Sequence, residues 1–177
     1  MIFFSKVKIK LLGDNLFFRL YWDMYSKEEA KNLSIRFWEL FGKRCEVHPL
    51  LRDKRKKWIL HRTKIKGVAL RFEVTRTDAK VILELGQRNE DKRFRAFEIL
   101  EQYKTVLENG FPQGLIWEFY FERESGQEVC RIYTSLENVD LHRQNQWPDI
   151  FNFFIENMLK LEENFLMISD ILKEELQ

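Results

Sequence analysis

The chain has 177 residues, of which 45% are hydrophobic and 33% are charged, and it contains 16 Phe and 5 Trp. These totals exclude an intrinsically disordered chain and supply enough apolar volume for the core of one domain. The net charge is only +2, but residues 43–95 carry 17 Lys and Arg against 7 acids, whereas residues 96–177 carry 6 against 16. This split predicts either an anionic partner for the middle of the chain or two halves that attract each other.

Cysteine content and the first residues bear on the compartment. Only Cys45 and Cys130 occur, too few for a disulfide framework. Lys6, Lys8 and Lys10 interrupt the apolar run that a signal peptide needs, and no stretch approaches the roughly 20 apolar residues of a membrane span. We therefore expect a cytoplasmic protein without a membrane anchor.

Residues 1–23 form the first segment of the chain. We predict that they are an N-terminal extension, either a short hairpin that turns at Gly13-Asp14 or a non-native start. Under the second interpretation Met24 is the natural start. Residues 24–177 are expected to form a single α+β domain.

A helix is predicted next. Ser26 and Glu29 have the spacing of a capping box, in which each side chain bonds a backbone N–H at the other position. Apolar residues then recur at helical spacing as far as Phe41, and Gly42 is expected to end the helix.

Three short strands are predicted after this helix, because apolar and polar residues alternate over 58–63, 68–75 and 80–85. The second and third are separated by only a few residues and should pair as an antiparallel hairpin around 75–78. One face of this hairpin should enter the core through Val68, Leu70, Phe72, Val74, Val81, Leu83 and Leu85.

Asn89 is expected to cap a second helix, which continues to Asn109-Gly110. Two more strands are predicted over 115–122 and 128–134. The first of them should place its three aromatic residues on one face: Trp117, Phe119 and Phe121.

The longest predicted element is a helix over residues 147–176. Large apolar residues recur there at alternating four- and three-residue intervals, which keeps them on one side of a helix. This stripe consists of Trp147, Phe151, Phe154, Met158, Leu161, Phe165, Ile168 and Leu172. Taken together, the elements predict an α+β fold: a mainly antiparallel sheet of about five strands packed against three helices, the last of them long and amphipathic.

Motifs for catalysis are sparse. The seven glycines are isolated, so no phosphate-binding loop is predicted, and Cys45 with His48 lacks the second ligand pair of a structural metal site. The nearest approach to a metal-dependent nuclease is a set of acids and a lysine around the hairpin: Glu73, Asp78, Lys80 and Glu84. Their spacing fits that class poorly, and outward charges on a sheet explain them more simply. We expect no catalytic residue, metal or cofactor.

A basic stretch is the first candidate binding surface. Its cations and one tryptophan suit phosphate contacts and base stacking: Lys54, Arg55, Lys56, Lys57, Trp58, Arg62, Lys64, Lys66, Arg71 and Lys80. The alternative interpretation is a solvated face balanced by the acidic second half.

The last helix supplies the second candidate surface, because apolar residues also occur beyond its main stripe. Those that we assign to a partner or a homodimer are Ile155, Leu159, Leu166 and Ile171. The alternative is that other parts of the same chain cover them.

Four sequence stretches, taken together, carry a resemblance to a known family. They are Met24-Tyr25-Ser26-Lys27-Glu28-Glu29-Ala30, Arg36-Phe37-Trp38-Glu39-Leu40-Phe41-Gly42, Arg131-Ile132-Tyr133 and Trp147-Pro148-Asp149-Ile150. Over roughly residues 24–176 the chain resembles the bacterial domain-of-unknown-function 4268 family. The resemblance implies a stand-alone protein or a module C-terminal to a PD-(D/E)xK nuclease-like domain, and hence a nucleic-acid context. It carries over no catalytic residue.

Three functions follow from these observations. We expect first a non-catalytic accessory or protein-interaction module, with a homodimer or a partner protein on the last helix. The alternative is a nucleic-acid-binding module that works with nuclease or DNA-defence systems through the basic surface at 54–80. A cryptic metal-dependent nuclease is third.

Overall fold

The computed structural model describes residues 27–51 and 63–176. Backbone contacts divide the chain into two compact units, residues 1–40 and residues 41–177. The predicted N-terminal extension and the predicted capping residue Ser26 lie outside the described residues.

Helix α1 spans residues 27–47 and continues through Gly42, where it was predicted to end. A glycine inside a helix costs about 1 kcal/mol relative to alanine. The adjacent Phe41 is fully buried and opposes that cost, since its ring lies 5.1–5.4 Å from three others, measured between centroids: Phe72, Phe151 and Phe154. Helix α1 ends before Pro49, because a proline disfavours the helical conformation of the residue that precedes it.

Within the first unit, the described residues 27–40 are helical throughout. The rings of Phe37 and Trp38 meet edge to face there, with their centroids 5.1 Å apart. Edge-to-face contact is a preferred arrangement of two aromatic rings.

Four strands form one antiparallel sheet: β1 Val68–Val74, β2 Asp78–Leu85, β3 Ile116–Glu122 and β4 Glu128–Glu137. Their order across the sheet is β1-β2-β4-β3. The predicted hairpin is confirmed, with Leu70 opposite Leu83. The described residues thus contain four strands where about five were predicted. The strand expected over 58–63 falls outside them except for Thr63, which lies in irregular backbone.

Strand β3 contains a register shift between Glu118 and Phe121. Trp117 pairs with Ile132, but Phe121 pairs with Val129, so one extra residue of β3 lies between them. Because successive side chains of a strand point to opposite faces, this bulge turns Phe121 to the face opposite Trp117. The prediction that all three aromatic residues share one face is therefore wrong for Phe121.

The second predicted helix is two helices in the structure, α2 Glu90–Gln102 and α3 Lys104–Leu107. Asn89 caps α2 as predicted, because its side chain accepts a hydrogen bond of 2.8 Å from the Lys92 N–H. The break falls at Tyr103, whose ψ of 21° leaves the helical region. The described chain accordingly has four helices where three were predicted.

Helix α4 spans Trp147–Glu175, as the spacing of its apolar residues predicts. Every member of the predicted stripe is buried. It faces the side of the sheet on which Val81, Leu83 and Leu85 are fully buried, and Phe72 of β1 lies 4.9 Å from Phe154 between ring centroids. The α+β architecture with a long amphipathic last helix is confirmed.

Asn164 joins α4 to the end of α3. Its side chain is buried, and its amide nitrogen donates to the carbonyl oxygens of Leu107 at 2.9 Å and Asn109 at 2.7 Å. The last carbonyls of a helix lack intrahelical hydrogen-bond donors. The Asn164 amide supplies such a donor at the end of the short α3.

Replacing Asn164 by alanine is therefore expected to lower the free energy of unfolding by about 1–3 kcal/mol, because the carbonyls of Leu107 and Asn109 lose this buried donor. Urea unfolding measures this loss. Asn152→Ala, at an exposed position of the same helix, is the control and should change stability little. Equal effects of the two substitutions would contradict the assigned role of Asn164.

Candidate functional site

Seven charged residues meet on the side of the sheet opposite the α4 core. This group, named the ion-pair cluster, consists of Arg71, Glu73, Asp78, Lys80, Glu84, Arg123 and Arg131. The register brings several of them together, since Glu73 lies opposite Lys80 and Glu84 lies opposite Arg131 on neighbouring strands. Cross-strand pairs of opposite charge stabilise a sheet.

Glu84 is the most buried carboxylate of the cluster, at 4% exposure. The Nε of Arg71 lies 2.6 Å from its Oε1. Arg123 bonds both carboxylate oxygens, with its Nε 3.2 Å from Oε2. Two guanidinium groups thus compensate the desolvation of this buried charge.

Glu73 and Asp78 are held in a similar way. The Nη2 of Arg131 bonds Glu73, and the Lys80 Nζ lies 3.6 Å from Glu73 Oε1 and 2.8 Å from Asp78 Oδ2. Arg131 is itself buried, and its guanidinium lies 4.0 Å from the centroid of the Phe121 ring that the bulge turned to this face.

The structure therefore brings the nuclease candidates Glu73, Asp78 and Lys80 together, while Glu84 pairs with Arg71 and Arg123. Each of the three carboxylates already neutralises a cation, so a divalent ion would have to displace those pairs. Within 27–51 and 63–176, no group of three His, Cys, Asp or Glu side chains is placed to hold a metal ion.

The pKa of Asp78 lies below its ordinary value. Burial alone would raise it, but hydrogen bonds from the Lys80 ammonium and the Thr75 hydroxyl, together with the charge of Lys80, outweigh burial. The pKa of Lys80 is raised in turn, because its bond to Asp78 and the charges of Asp78 and Glu73 outweigh the effect of its own burial. Both directions indicate a stable ion pair.

The ten residues of the predicted basic surface separate into three groups. Six of them lie outside the described residues: Lys54, Arg55, Lys56, Lys57, Trp58 and Arg62. Arg71 and Lys80 are engaged in the ion-pair cluster. Lys64 and Lys66 are exposed and form no ion pair with any residue that the structure describes.

The basic and acidic halves of the chain also pair with each other at several places. Arg93 lies 3.0 Å from Glu128, Arg95 lies 3.0 Å from Glu175, and Arg76 lies 3.7 Å from Asp140. Part of the charge split is therefore used within the fold, as one of the two interpretations of the composition predicted.

Neither cysteine is activated as a nucleophile. Burial, and secondarily the Glu46 carboxylate, raise the pKa of Cys45 to about 11. Burial also raises the pKa of Cys130, although the nearby Arg93 opposes it. Since the thiolate is the reactive form, both thiols are poor nucleophiles at neutral pH.

The second surface is a groove of about 620 Å³ between α4 and the turn that follows α1. Among the described residues, those that line this α4 groove are Leu50, Leu159, Glu162, Glu163, Leu166 and Met167. Three of them are largely exposed apolar side chains: Leu50 at 64%, Leu166 at 59% and Met167 at 61%. Clustered exposed apolar residues of this kind are typical of interaction sites.

The four residues predicted for partner binding occupy different environments. Leu159 and Leu166 line the α4 groove, and Ile171 is exposed further along the helix. Ile155 is 2% exposed, so a partner has no access to it. Sequence reasoning missed Leu50 and Met167, although Met167 lies off the buried stripe just as Leu166 does.

No helix among the described residues is both long enough and apolar enough to traverse a lipid bilayer.

Replacing Asp78 by asparagine should lower the free energy of unfolding at neutral pH by about 1–2 kcal/mol, because a charged hydrogen-bond acceptor is lost. A carboxyl group whose folded pKa is depressed contributes stability above its unfolded pKa of about 4, and this contribution disappears as the pH falls through the folded value. The wild-type protein should therefore lose more stability than Asp78→Asn between about pH 5 and pH 2. Urea unfolding across this range measures the difference. Asp170→Asn is the control, at an exposed site that forms no ion pair with any described residue. Parallel profiles for wild type and Asp78→Asn would contradict the assignment.

Comparison with known proteins identifies one family. The family model described as Domain of unknown function (DUF4268) matches residues 33–168. No curated protein and no solved structure matches the chain. The matched range includes most of α1, the whole sheet and most of α4, and it confirms the predicted resemblance over most of its length. The chain belongs to the DUF4268 family.

Proposed function

We propose that this chain is a non-catalytic protein-interaction module that binds a partner chain through the α4 groove. The observation that carries the proposal is the set of exposed apolar side chains around that groove: Leu50, Leu166 and Met167. A partner that covered them would remove apolar surface from water, the main driving force of protein association.

The chemistry of the groove supports a macromolecular partner. Its rim carries flexible apolar side chains, and Met167 adapts its shape to whatever packs against it. Ile171, at 38% exposure, lies about one turn beyond Met167 and lengthens the apolar surface along α4. An elongated surface of this kind suits a helix or an extended segment.

The ion-pair cluster supports the non-catalytic part of the proposal. Its carboxylates are bonded to guanidinium and ammonium groups, and the depressed pKa of Asp78 opposes protonation. A general acid or base needs a pKa near the working pH, whereas the pKa values of Asp78 and Lys80 are shifted away from neutrality. We infer that the cluster stabilises the sheet.

Nucleic-acid binding is the second candidate. It is supported by Lys64 and Lys66, which are exposed and form no ion pair with the described part of the chain. The engagement of Arg71 and Lys80 in the ion-pair cluster disfavours it, because those cations would have to leave their carboxylates to meet phosphates. A gel shift that weakens steeply with rising salt, and that Lys64→Gln with Lys66→Gln reduces, would favour this candidate.

The interaction proposal predicts that the double substitution Leu166→Lys, Met167→Lys abolishes partner binding without unfolding the protein. Both side chains are exposed, so the free energy of unfolding should change by less than about 0.5 kcal/mol, whereas two charges in the groove prevent apolar contact. The measurement compares the proteins that immobilised wild-type and variant chains retain from the source cells.

The matched control is Ile116→Lys, which changes an apolar residue of similar exposure on β3, at 48%. Proteins that bind through the groove should be retained by the wild type and by the control and lost from the double variant. Identical sets from all three would overturn the proposal. Sedimentation of the same proteins at micromolar concentration shows whether the retained chain is a second copy of this protein.

A further inference from the structure

We infer that the partner of the α4 groove presents a basic amphipathic helix. This inference rests on the proposed function and adds the chemistry of the partner. It comes from a row of exposed acidic residues along α4, named the acidic row: Glu156, Glu163, Asp170 and Glu174. Glu163 of this row lines the groove.

The spacing of the acidic row places it along one line of α4. Glu156, Glu163 and Asp170 are seven residues apart, and a heptad returns to almost the same side of a helix after two turns. At about 1.5 Å per residue the carboxylates recur roughly every 10 Å. A neighbouring helix that lies along α4 has the same repeat, so its basic residues would meet each carboxylate in turn.

The acidic row is available to a partner. All four of its residues are exposed, and none of them forms an ion pair with a residue in the described parts of the chain. This contrasts with Glu73, Asp78 and Glu84, whose charges the fold neutralises. Charges left free beside an exposed apolar groove favour a partner that carries the opposite charge.

Apolar and acidic positions alternate along the same part of α4. Leu159 and Leu166 are also seven residues apart, and they line the groove together with Glu163 of the acidic row. A helix with apolar residues on one side and Lys or Arg along the edge of that side matches both features. This arrangement is the helix-in-groove mode of recognition.

The acidic residues of α4 also argue against a second copy of this chain, a nucleic acid or an anionic membrane as the partner of the groove. Helix α4 contains seven acidic residues and only Lys160 and Lys173 as bases, so two copies that met along their acidic rows would repel each other. Phosphate groups of a nucleic acid or an anionic membrane would be repelled in the same way. The acidic row attracts a cationic helix, whereas it repels each of these alternatives.

Two synthetic peptides test the inference directly. Both carry leucines at the same helical spacing, but one has lysine and the other has glutamate at the remaining positions. Fluorescence anisotropy of each labelled peptide is measured against the full chain at low and at moderate salt. The lysine peptide should bind saturably and more weakly as the salt rises, and the glutamate peptide should not bind.

Neutralised variants separate the acidic row from overall charge. The triple substitution Glu163→Gln, Asp170→Asn, Glu174→Gln should weaken binding of the lysine peptide about tenfold, since each exposed pair contributes a modest share. The control changes net charge equally at exposed acids elsewhere that form no ion pair within residues 27–51 and 63–176: Glu101→Gln, Glu124→Gln and Glu137→Gln. It should leave the affinity nearly unchanged.

Several results would overturn the inference. Equal weakening by the two triple variants would show attraction to net charge alone. Binding of the glutamate peptide as tightly as the lysine peptide would show a groove without charge selection, and the proposed interaction function would then stand without this partner chemistry. Binding of neither peptide would also overturn it, and the comparison of retained proteins would still decide the proposed function separately. Self-association that strengthens when the acidic row is neutralised would assign the surface to a second copy.

Discussion

The packing of the α4 stripe against one side of the sheet is the interaction on which the rest of the structure depends. Phe151, Phe154 and Phe165 are each at most 8% exposed, and the rings of Phe41 on α1 and Phe72 on β1 both pack against Phe154. Burying a side chain of this size contributes about 2–3 kcal/mol. One helix thus fixes the position of the sheet and carries the groove on its outer side.

The two sides of the sheet are stabilised by different interactions. The side toward α4 is apolar and is stabilised by packing. The other side carries charges on neighbouring strands, and it is stabilised because cations and carboxylates alternate across β1, β2 and β4. Buried charges are tolerated only where they are paired, and Glu84 between Arg71 and Arg123 meets this condition. The acids and the lysine that were considered as nuclease candidates all take part in this network of ion pairs.

The side chains of helix α4 point in two directions, toward the buried core on one side and toward the proposed binding surface on the other. The stripe on one side is buried, whereas Leu166, Met167 and the acidic row lie on the other side and contribute little to the core. Substitutions on the outer side are therefore suited to separating loss of binding from loss of folding. Substitutions in the buried stripe on the inner side would also destabilise the fold.

Much of the fold was predictable because it follows from local periodicity. The four-three spacing of α4 and the alternation in β1 and β2 report directly which side of each element is buried. The passage of α1 through Gly42 was not predictable, since the contacts of Phe41 with distant rings override the local preference of glycine. The bulge in β3 was equally hidden, because a register shift depends on the partner strand.

The candidate surfaces were predictable only in part. Leu159 and Leu166 could be assigned from their positions outside the main stripe of α4, and both line the groove. The same reasoning failed for Ile155, because the helical pattern alone does not show which other elements cover a flank of the helix. Leu50 was missed because only the fold brings the turn after α1 beside α4. The ion pairs of Arg71 and Lys80 likewise depend on strand register.

The most direct test of this account is the stability of Phe154→Ala measured by urea unfolding. Phe154 is fully buried at the centre of the ring cluster, so the account predicts a loss of about 3–5 kcal/mol in the free energy of unfolding. Phe153→Ala, at the neighbouring partly exposed position, should cost clearly less. A loss below about 1 kcal/mol for Phe154→Ala, or equal losses for both variants, would contradict the claim that the α4 stripe holds the sheet in place.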